Sequence, residues 1–328
     1  MSGADTPEGG APTPGAPDEF GDIARLLRPL TGGAPEALGL LDDAAIIPSR
    51  PGQDLVITKD AMVEGVHALP GADRALFARR LLRTNLSDLA AMGAEPYAAF
   101  LAVAWPKGSG VAEREAFARG LAEDFPAFGV KLLGGDTVST EGPLVASMTL
   151  LGFVPAGRAI KRSTARPGDL VMVSGPIGDG GLGLAAAQGR LDDASGHLQR
   201  RYWLPDPRLD LIEALRADAH AAIDVSDGLI ADAGHVAEAS GVQITLDLER
   251  APLSAPAADW LADQPDPLAG RLHLVSAGDD YELVITAAPE QARRLALPVI
   301  GAVTAGSGLQ LRWNGVEVQA ERDGWRHG

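Results

Sequence analysis

An α/β chain with a boundary near its middle is predicted by three observations. Apolar runs of strand length alternate with segments of helical period from about residue 20 onward. A basic, Pro- and Gly-punctuated stretch, Arg158–Gly168 (RAIKRSTARPG), interrupts them. Carboxylates recur at the ends of the expected strands, beside Gly, Ser or Thr, where ligands of α/β proteins converge. The chain has 328 residues, enough for two domains or one large one.

Residues 1–18 (MSGADTPEGGAPTPGAPD) hold no large apolar residue after Met1, so they cannot offset chain entropy and are expected to be a disordered tail. Ile23, Leu26, Leu27 and Leu30 then sit at helical spacing before Gly32-Gly33. Asp42-Asp43 leads into an expected short strand, and Leu55–Asp60 is a second, with Thr58 and Asp60 at its end and Val63–His67 as the loop beyond. From Ala75 to Met92 the period is helical, and Thr84 and Asp88 share a face at i, i+4. Asp88 has apolar neighbours, and an unpaired buried carboxylate is expensive, so a cation or a structural partner is required. A strand Ala98–Ala104, a helix Val111–Phe125 and a strand Val130–Leu133 follow, the last running into Gly134-Gly135-Asp136-Thr137; that motif suits a simple turn or a close approach to a ligand. Pro143–Phe153 closes the first half as a strand, giving a domain over 19–156 and a second over 157–328.

In the second half, strand Leu170–Ser174 precedes Gly175–Gly183, which contains G-x-G-x-x-G before an Ala-rich helix. A dinucleotide site is rejected, because the second strand ending in an acidic residue is missing and a polar loop, Asp192–Gln199, follows. There is no Walker-type P-loop either. Ala221–Ile223 reads as the end of a buried strand, and a helix runs to about Ser240. Between them lies Asp224-Val-Ser226-Asp227-Gly228, where Ser226 or Asp227 suits either a helix cap or a ligand. Strand Val242–Leu248, a Pro/Ala-rich stretch, the acidic cluster Gly278-Asp279-Asp280-Tyr281-Glu282 leading into a strand, helix Glu290–Ala296, strand Val299–Val303 and hairpin Leu309–Val318 complete the chain before Gly324-Trp325.

Net charge is −16, from 28 Lys and Arg against 44 Asp and Glu, which argues against nucleic-acid or anionic-membrane partners. A phosphate substrate would need metal cations to approach so acidic a protein. No cysteine is present, which excludes disulfides, thiolate nucleophiles and Cys-ligated metals. There is neither a membrane-length apolar run nor a secretory signal, so a cytoplasmic protein is expected. Oxygen-only ligands suit a hard cation such as Mg²⁺, and the six histidines show no H-x-x-x-H spacing for zinc. Carboxylates with metal suit phosphoryl transfer, with an Arg such as Arg162 on a phosphate oxygen. Glycoside hydrolysis also uses paired carboxylates, but wants aromatic platforms in a chain that is only 5% aromatic.

Taken in order, Asp42-Asp43-Ala-Ala, Asp60 with Gly65-Val-His67, Asn85-Leu-Ser-Asp88-Leu-Ala-Ala-Met-Gly-Ala, Gly134-Gly-Asp136-Thr, Ile223-Asp224-Val-Ser-Asp227-Gly-Leu and Gly278-Asp-Asp-Tyr-Glu-Leu resemble the thiamine-monophosphate kinase family. The resemblance covers nearly everything from residue 20 on. It implies the two-domain aminoimidazole-ribonucleotide-synthetase-like fold with mixed sheets, a homodimer across a barrel-like N-terminal sheet, and ATP between the domains. It also implies transfer of the γ-phosphate of ATP to thiamine monophosphate with several Mg²⁺ ions. Carried over, Asp43, Thr58, Asp60, Asp88, Asp136, Asp224 and Asp227 would be metal ligands; Gly135, Asp136, Arg162 and Ser226 would contact ATP; His67, Asp279 and Trp325 would hold thiamine monophosphate. Lys59 stands at a metal-site position where the family usually has Thr, and its ammonium can stand in for a metal charge there. Selenophosphate synthetase and the hydrogenase-maturation relative each need a cysteine, and this chain has none. A nucleotide sensor without turnover is the rival of another class.

Overall fold

The computed structural model describes residues 19–320 and Gly324, so the expected tail at 1–18 and Trp325 lie outside the described residues. A short helix α1 (Glu19–Asp22) opens the described chain and passes through π and 3-10 turns to Thr31. Four strands, β1 (Gln53–Val63), β2 (Glu95–Pro106), β3 (Lys131–Thr140) and β4 (Val145–Pro155), form a sheet of order β1-β4-β2-β3, with only β2 and β3 parallel. Its inner face is covered by α2 (Arg74–Ala91) and α3 (Val111–Ala127), through Phe77, Leu81, Leu86, Leu121, Met148 and Leu150. Asp73 starts α2 by accepting the Ala75 and Leu76 N–H groups, two donors that lack helical partners.

The second sheet takes β5 (Leu170–Val173), β6 (Ala221–Asp224), β7 (Gln243–Asp247), β8 (Leu283–Ala287), β9 (Val299–Thr304), β10 (Gly308–Trp313) and β11 (Val316–Val318) in the order β11-β10-β7-β9-β5-β8-β6. Around it lie α4 (Asp179–Ala187), α5 (His197–Trp203), α6 (Ile212–Asp218), α7 (Leu229–Ser240), α8 (Ala255–Ala262), α9 (Pro267–Ser276) and α10 (Pro289–Leu295). The sheets are therefore mixed, as expected for this fold. The C-terminal end of α2 carries the join between the halves: Ala90 and Ala91 pack with Ile160, Leu215, Ala222, Leu283 and Ile285. Small side chains there let α2 lie against both layers, which is why its residues are buried on nearly every side.

Several elements differ from expectation. Residues 44–47 form no strand; they cross the outer face of the first sheet, where Ala45 and Ile47 pack with Tyr97, Leu133 and Phe153. Gly134–Thr137 is not a turn after a strand but part of β3, paired with β2. Gly135 is required for that pairing, because a Cβ there would stand 1.9 Å from the Leu101 carbonyl oxygen. The polar loop at 192–199 ends in α5, and the Pro/Ala-rich stretch holds α8 and α9, the latter ending at Ser276 before the acidic cluster that leads into β8. Both helices take Pro in their first turn, where a missing N–H costs nothing. Strand β5 pairs antiparallel on both sides, in keeping with the rejection of a dinucleotide fold.

Candidate active site

Alternation along β1 sends Thr58, Asp60 and Met62 to the inner face of the first sheet and Lys59 to the outer. On α2, Arg80, Thr84 and Asp88 recur every four residues and so line one stripe. The stripe faces a cleft of about 570 Å³ between the two halves. Asp60, His67, Arg80, Asp88, Asp224, Ser226, Asp227 and Asp279 all reach it.

The far wall is made by two motifs that the backbone ties together. The Asp279 N–H donates to the Ser226 carbonyl (2.9 Å), and the Tyr281 N–H to the Val225 carbonyl (2.8 Å). Glycines permit this approach: Gly228 (φ 123°) and Gly278 (φ 76°) both occupy the left-handed region, and a Cβ on Gly278 would lie 2.5 Å from the Ser226 carbonyl oxygen. The buried Asp232 carboxylate accepts the N–H groups of Asp227 and Gly228 (3.1 Å each), fixing the turn from inside α7. Behind this wall the Gly-rich string has a role of its own. Asp280 accepts the Gly178 and Gly180 N–H groups (2.9 Å), filling the start of α4 with a protein carboxylate where a dinucleotide fold would place phosphate.

Electrostatics unite the acidic residues. Burial first, then the charge of Asp60, pushes the Asp88 carboxyl up to about 6. Asp224 is raised well above the usual carboxylate range by burial, then by Asp88, Asp232 and Asp60. Burial raises Asp60 as well. Opposing this, the Thr58 hydroxyl donates to Asp88 and the Arg162 charge favours its ionised form. The donor set is oxygen only, and a divalent cation would relieve the mutual repulsion, so these residues fit Mg²⁺. Asp227, Asp232 and His235 form a second group whose ligand atoms lie within 4.8 Å of one another.

At the other end of the cleft, His67 Nδ1 accepts the Val63 N–H (3.1 Å), which places the ring proton on Nε2. Asp279 is held by Arg80, a residue that sequence reasoning missed although its i, i+4, i+8 relation to Thr84 and Asp88 was open to view. Asp232 was missed too; nothing in the sequence distinguishes it from a surface acid of a first helical turn.

Several expected site residues do not line the cleft: Asp43, Lys59, Gly135, Asp136 and Arg162, while Thr58 reaches it only through Asp88. Asp43, Gly135 and Asp136 line a separate concavity of about 710 Å³ beside β3. Register runs from Ala61 through Ser147 and Ala102 to Asp136, so Asp136 stands three strands from β1, roughly 14 Å away. The Lys59 side chain, on the outer face, does not join Asp60, Asp88 and Asp224; the strand's two-residue period is the reason. Trp325 lies outside the described residues. Gly324 before it reaches the cleft wall, where a Cβ would be 2.6 Å from the Asp227 carbonyl oxygen.

Residues 41–154 match the family of AIR synthase related proteins in its N-terminal domain, and residues 166–314 in its C-terminal domain. The chain is 55% identical to the thiamine-monophosphate kinase of Caulobacter vibrioides over 97% of its own length and 93% of that protein's. Its structure is similar to the thiamine-monophosphate kinase of Stenotrophomonas maltophilia (TM-score 0.79, 37% identity, covering 92% of this chain and 98% of that one). It is also similar to AaThiL complexed with AMPPCP and TMP (TM-score 0.77, 30% identity, covering 88% and 91%). On sequence and structure alike, the chain belongs to the thiamine-monophosphate kinase family of AIR-synthase-related proteins.

Proposed function

We propose that this chain transfers the γ-phosphate of ATP in line onto the phosphate of thiamine monophosphate, giving thiamine diphosphate. The observation that carries the reading is the cleft that half-buried Asp60 and Asp88 and buried Asp224 share with His67 and Asp279. Such a cleft suits a substrate with a polyanion at one end and an organic cation at the other. Thr58, Asp60, Asp88, Asp224 and Asp227 would hold Mg²⁺, which supplies charge neutralisation on the phosphates. Arg162 and Ser226 are assigned to ATP, and His67, Asp279 and Trp325 to thiamine monophosphate. The chain's own work is to bind, to align two phosphates and to keep water out; no protein nucleophile is needed.

Asp43, Gly135 and Asp136 enter the reading through a homodimer. The outer face of the first sheet exposes Leu55 (45%), Ile57 (60%) and Val138 (52%), and Leu41 and Ile46 are exposed on the segment that crosses it. A second copy on this apolar face would bring its acidic β3 edge towards the first copy's cleft and complete the metal and ATP ligands. The assigned domains are 19–156 and 157–328, and the site of action is the cytoplasm, where ATP is plentiful. No helix among the described residues is long and apolar enough to cross a membrane.

The test is incubation with γ-labelled ATP, Mg²⁺ and either thiamine monophosphate or thiamine. Label in thiamine diphosphate only with the monophosphate and only with metal is expected. ATP binding without transfer to either acceptor would overturn the reading in favour of a nucleotide-binding relic.

A further inference from the structure

Among the described basic residues, Arg80 is the most completely enclosed. Its side chain is 2% exposed, yet it lines the cleft. Nη2 donates to Asp279 Oδ1 (2.6 Å) and Nη1 to the Tyr202 carbonyl oxygen. Its guanidinium carbon lies 4.2 Å from the Tyr202 ring centroid and 5.7 Å from that of Tyr281. Burial works against its charge, and the charge of Asp279 is the first influence that restores it. Nε is buried with no acceptor.

Its partner is equally constrained. Asp279 (φ 62°) and Tyr281 (φ 51°) are non-glycine residues in the left-handed region, a conformation held only where the surroundings enforce it. Both bonds to the Asp279 carboxylate, from Arg80 and from the Tyr281 hydroxyl (3.3 Å), go to Oδ1. Among the described residues, Oδ2 receives no hydrogen bond, and the side chain is 29% exposed in the cleft.

We propose that Arg80 is a positioning residue for the acceptor substrate: by occupying Oδ1 it turns Oδ2 of Asp279 towards the cation of thiamine monophosphate. The thiazolium carries a fixed positive charge and the aminopyrimidine an N–H donor, and a carboxylate oxygen at a set angle serves either. Arg80 belongs to α2 and Asp279 to the loop after α9, so the same bond also sets how far apart the two halves stand at the acceptor end. The inference rests on the kinase reading above.

The test compares R80M, R80K and D279N in steady-state assays, varying each substrate at saturating concentrations of the other. In R80M the KM for thiamine monophosphate is expected to rise about tenfold or more, with the KM for ATP within about twofold. R80K, which keeps a charge but not the fork, is expected to fall between. The double variant R80M/D279N is expected to be no worse than the poorer single one, because both remove one oriented oxygen. An unchanged KM for thiamine monophosphate in R80M, or an equal rise for both substrates, would overturn the inference. Should R80M not fold, R80K and D279N support the same comparison. Absence of transfer by the unsubstituted enzyme would instead be a failure of the kinase reading.

Discussion

The Thr58 hydroxyl donates to the Asp88 carboxylate (2.5 Å), and it is the only hydrogen bond that this side chain receives among the described residues. One bond is little for a half-buried carboxylate beside Asp60 that is raised to about 6. T58V removes it and should push Asp88 further up, so the variant should bind Mg²⁺ more weakly at pH 7 than the native protein. The deficit should shrink at pH 8.5, where Asp88 ionises regardless. T58S restores the donor and should restore the affinity. Equal weakening at both pH values would show that the hydroxyl acts otherwise.

The same crowding makes stability depend on pH in a fixed direction. Asp88 and Asp232 have folded-state values of about 6 and 7 against an ordinary 3.8, and Asp224 lies well above it. Between those limits the folded protein binds more protons than the unfolded chain, so stability falls as pH rises from about 4 through 7. Without metal, the melting temperature should therefore drop between pH 5.5 and 8. Mg²⁺ should recover more of it at pH 8, where the carboxylates must be ionised, than at pH 5.5. D224N should flatten the metal-free profile. A melting temperature that rises with pH in the absence of metal would contradict this account.

Much of the cleft was legible in the sequence because carboxylates beside Gly, Ser or Thr have local signatures, although Asp60 lies within β1, which runs on to Val63, and not at the strand end expected. Thr58, Asp60, Asp88, Asp224, Ser226, Asp227 and Asp279 were singled out, and the fold brings them, directly or through the Thr58–Asp88 bond, to one place. What could not be read is which face a residue takes. Lys59 and Asp60 are neighbours in sequence and point to opposite sides of a sheet. Asp136 looked like a turn residue because Gly134 and Gly135 precede it; the close passage of β2, a long-range contact, makes those glycines part of a strand. Arg80's place on the α2 stripe was legible, but its pairing was hidden for a similar reason. Its partner Asp279 lies far along the chain, and periodicity alone gives no sign of that pairing.

Gly278 allows a sharper comparison, since left-handed backbone and close approach can be separated. G241A places a Cβ at φ 65° with nothing within 4 Å, so it should cost about 1 kcal/mol from backbone strain alone. G278A adds a Cβ at φ 76° that meets the Ser226 carbonyl oxygen at 2.5 Å, so overlap should bring the total to roughly 3 kcal/mol. Denaturant titration gives both values. G278A should also lose activity beyond its stability loss, because separating residues 226–228 from 278–282 opens the cleft wall. Equal costs for the two variants would mean that the loop yields without strain.

Ile57 tests the outer face. It is 60% exposed on β1, with Leu55 on the same side of the strand, while Thr58 on the next pleat faces inward. In a lone chain I57D would be a surface substitution of small effect, within about 0.5 kcal/mol. In a homodimer joined through this face it buries a charge against apolar side chains and should split the assembly. Sedimentation velocity should show a dimer for the native protein and a monomer for I57D, with little change in monomer folding. Turnover should be lost together with the dimer, since Asp43 and Asp136 would no longer reach a cleft from across the interface. A monomeric I57D with native turnover would leave the inner acidic set sufficient by itself and remove Asp43 and Asp136 from the reaction.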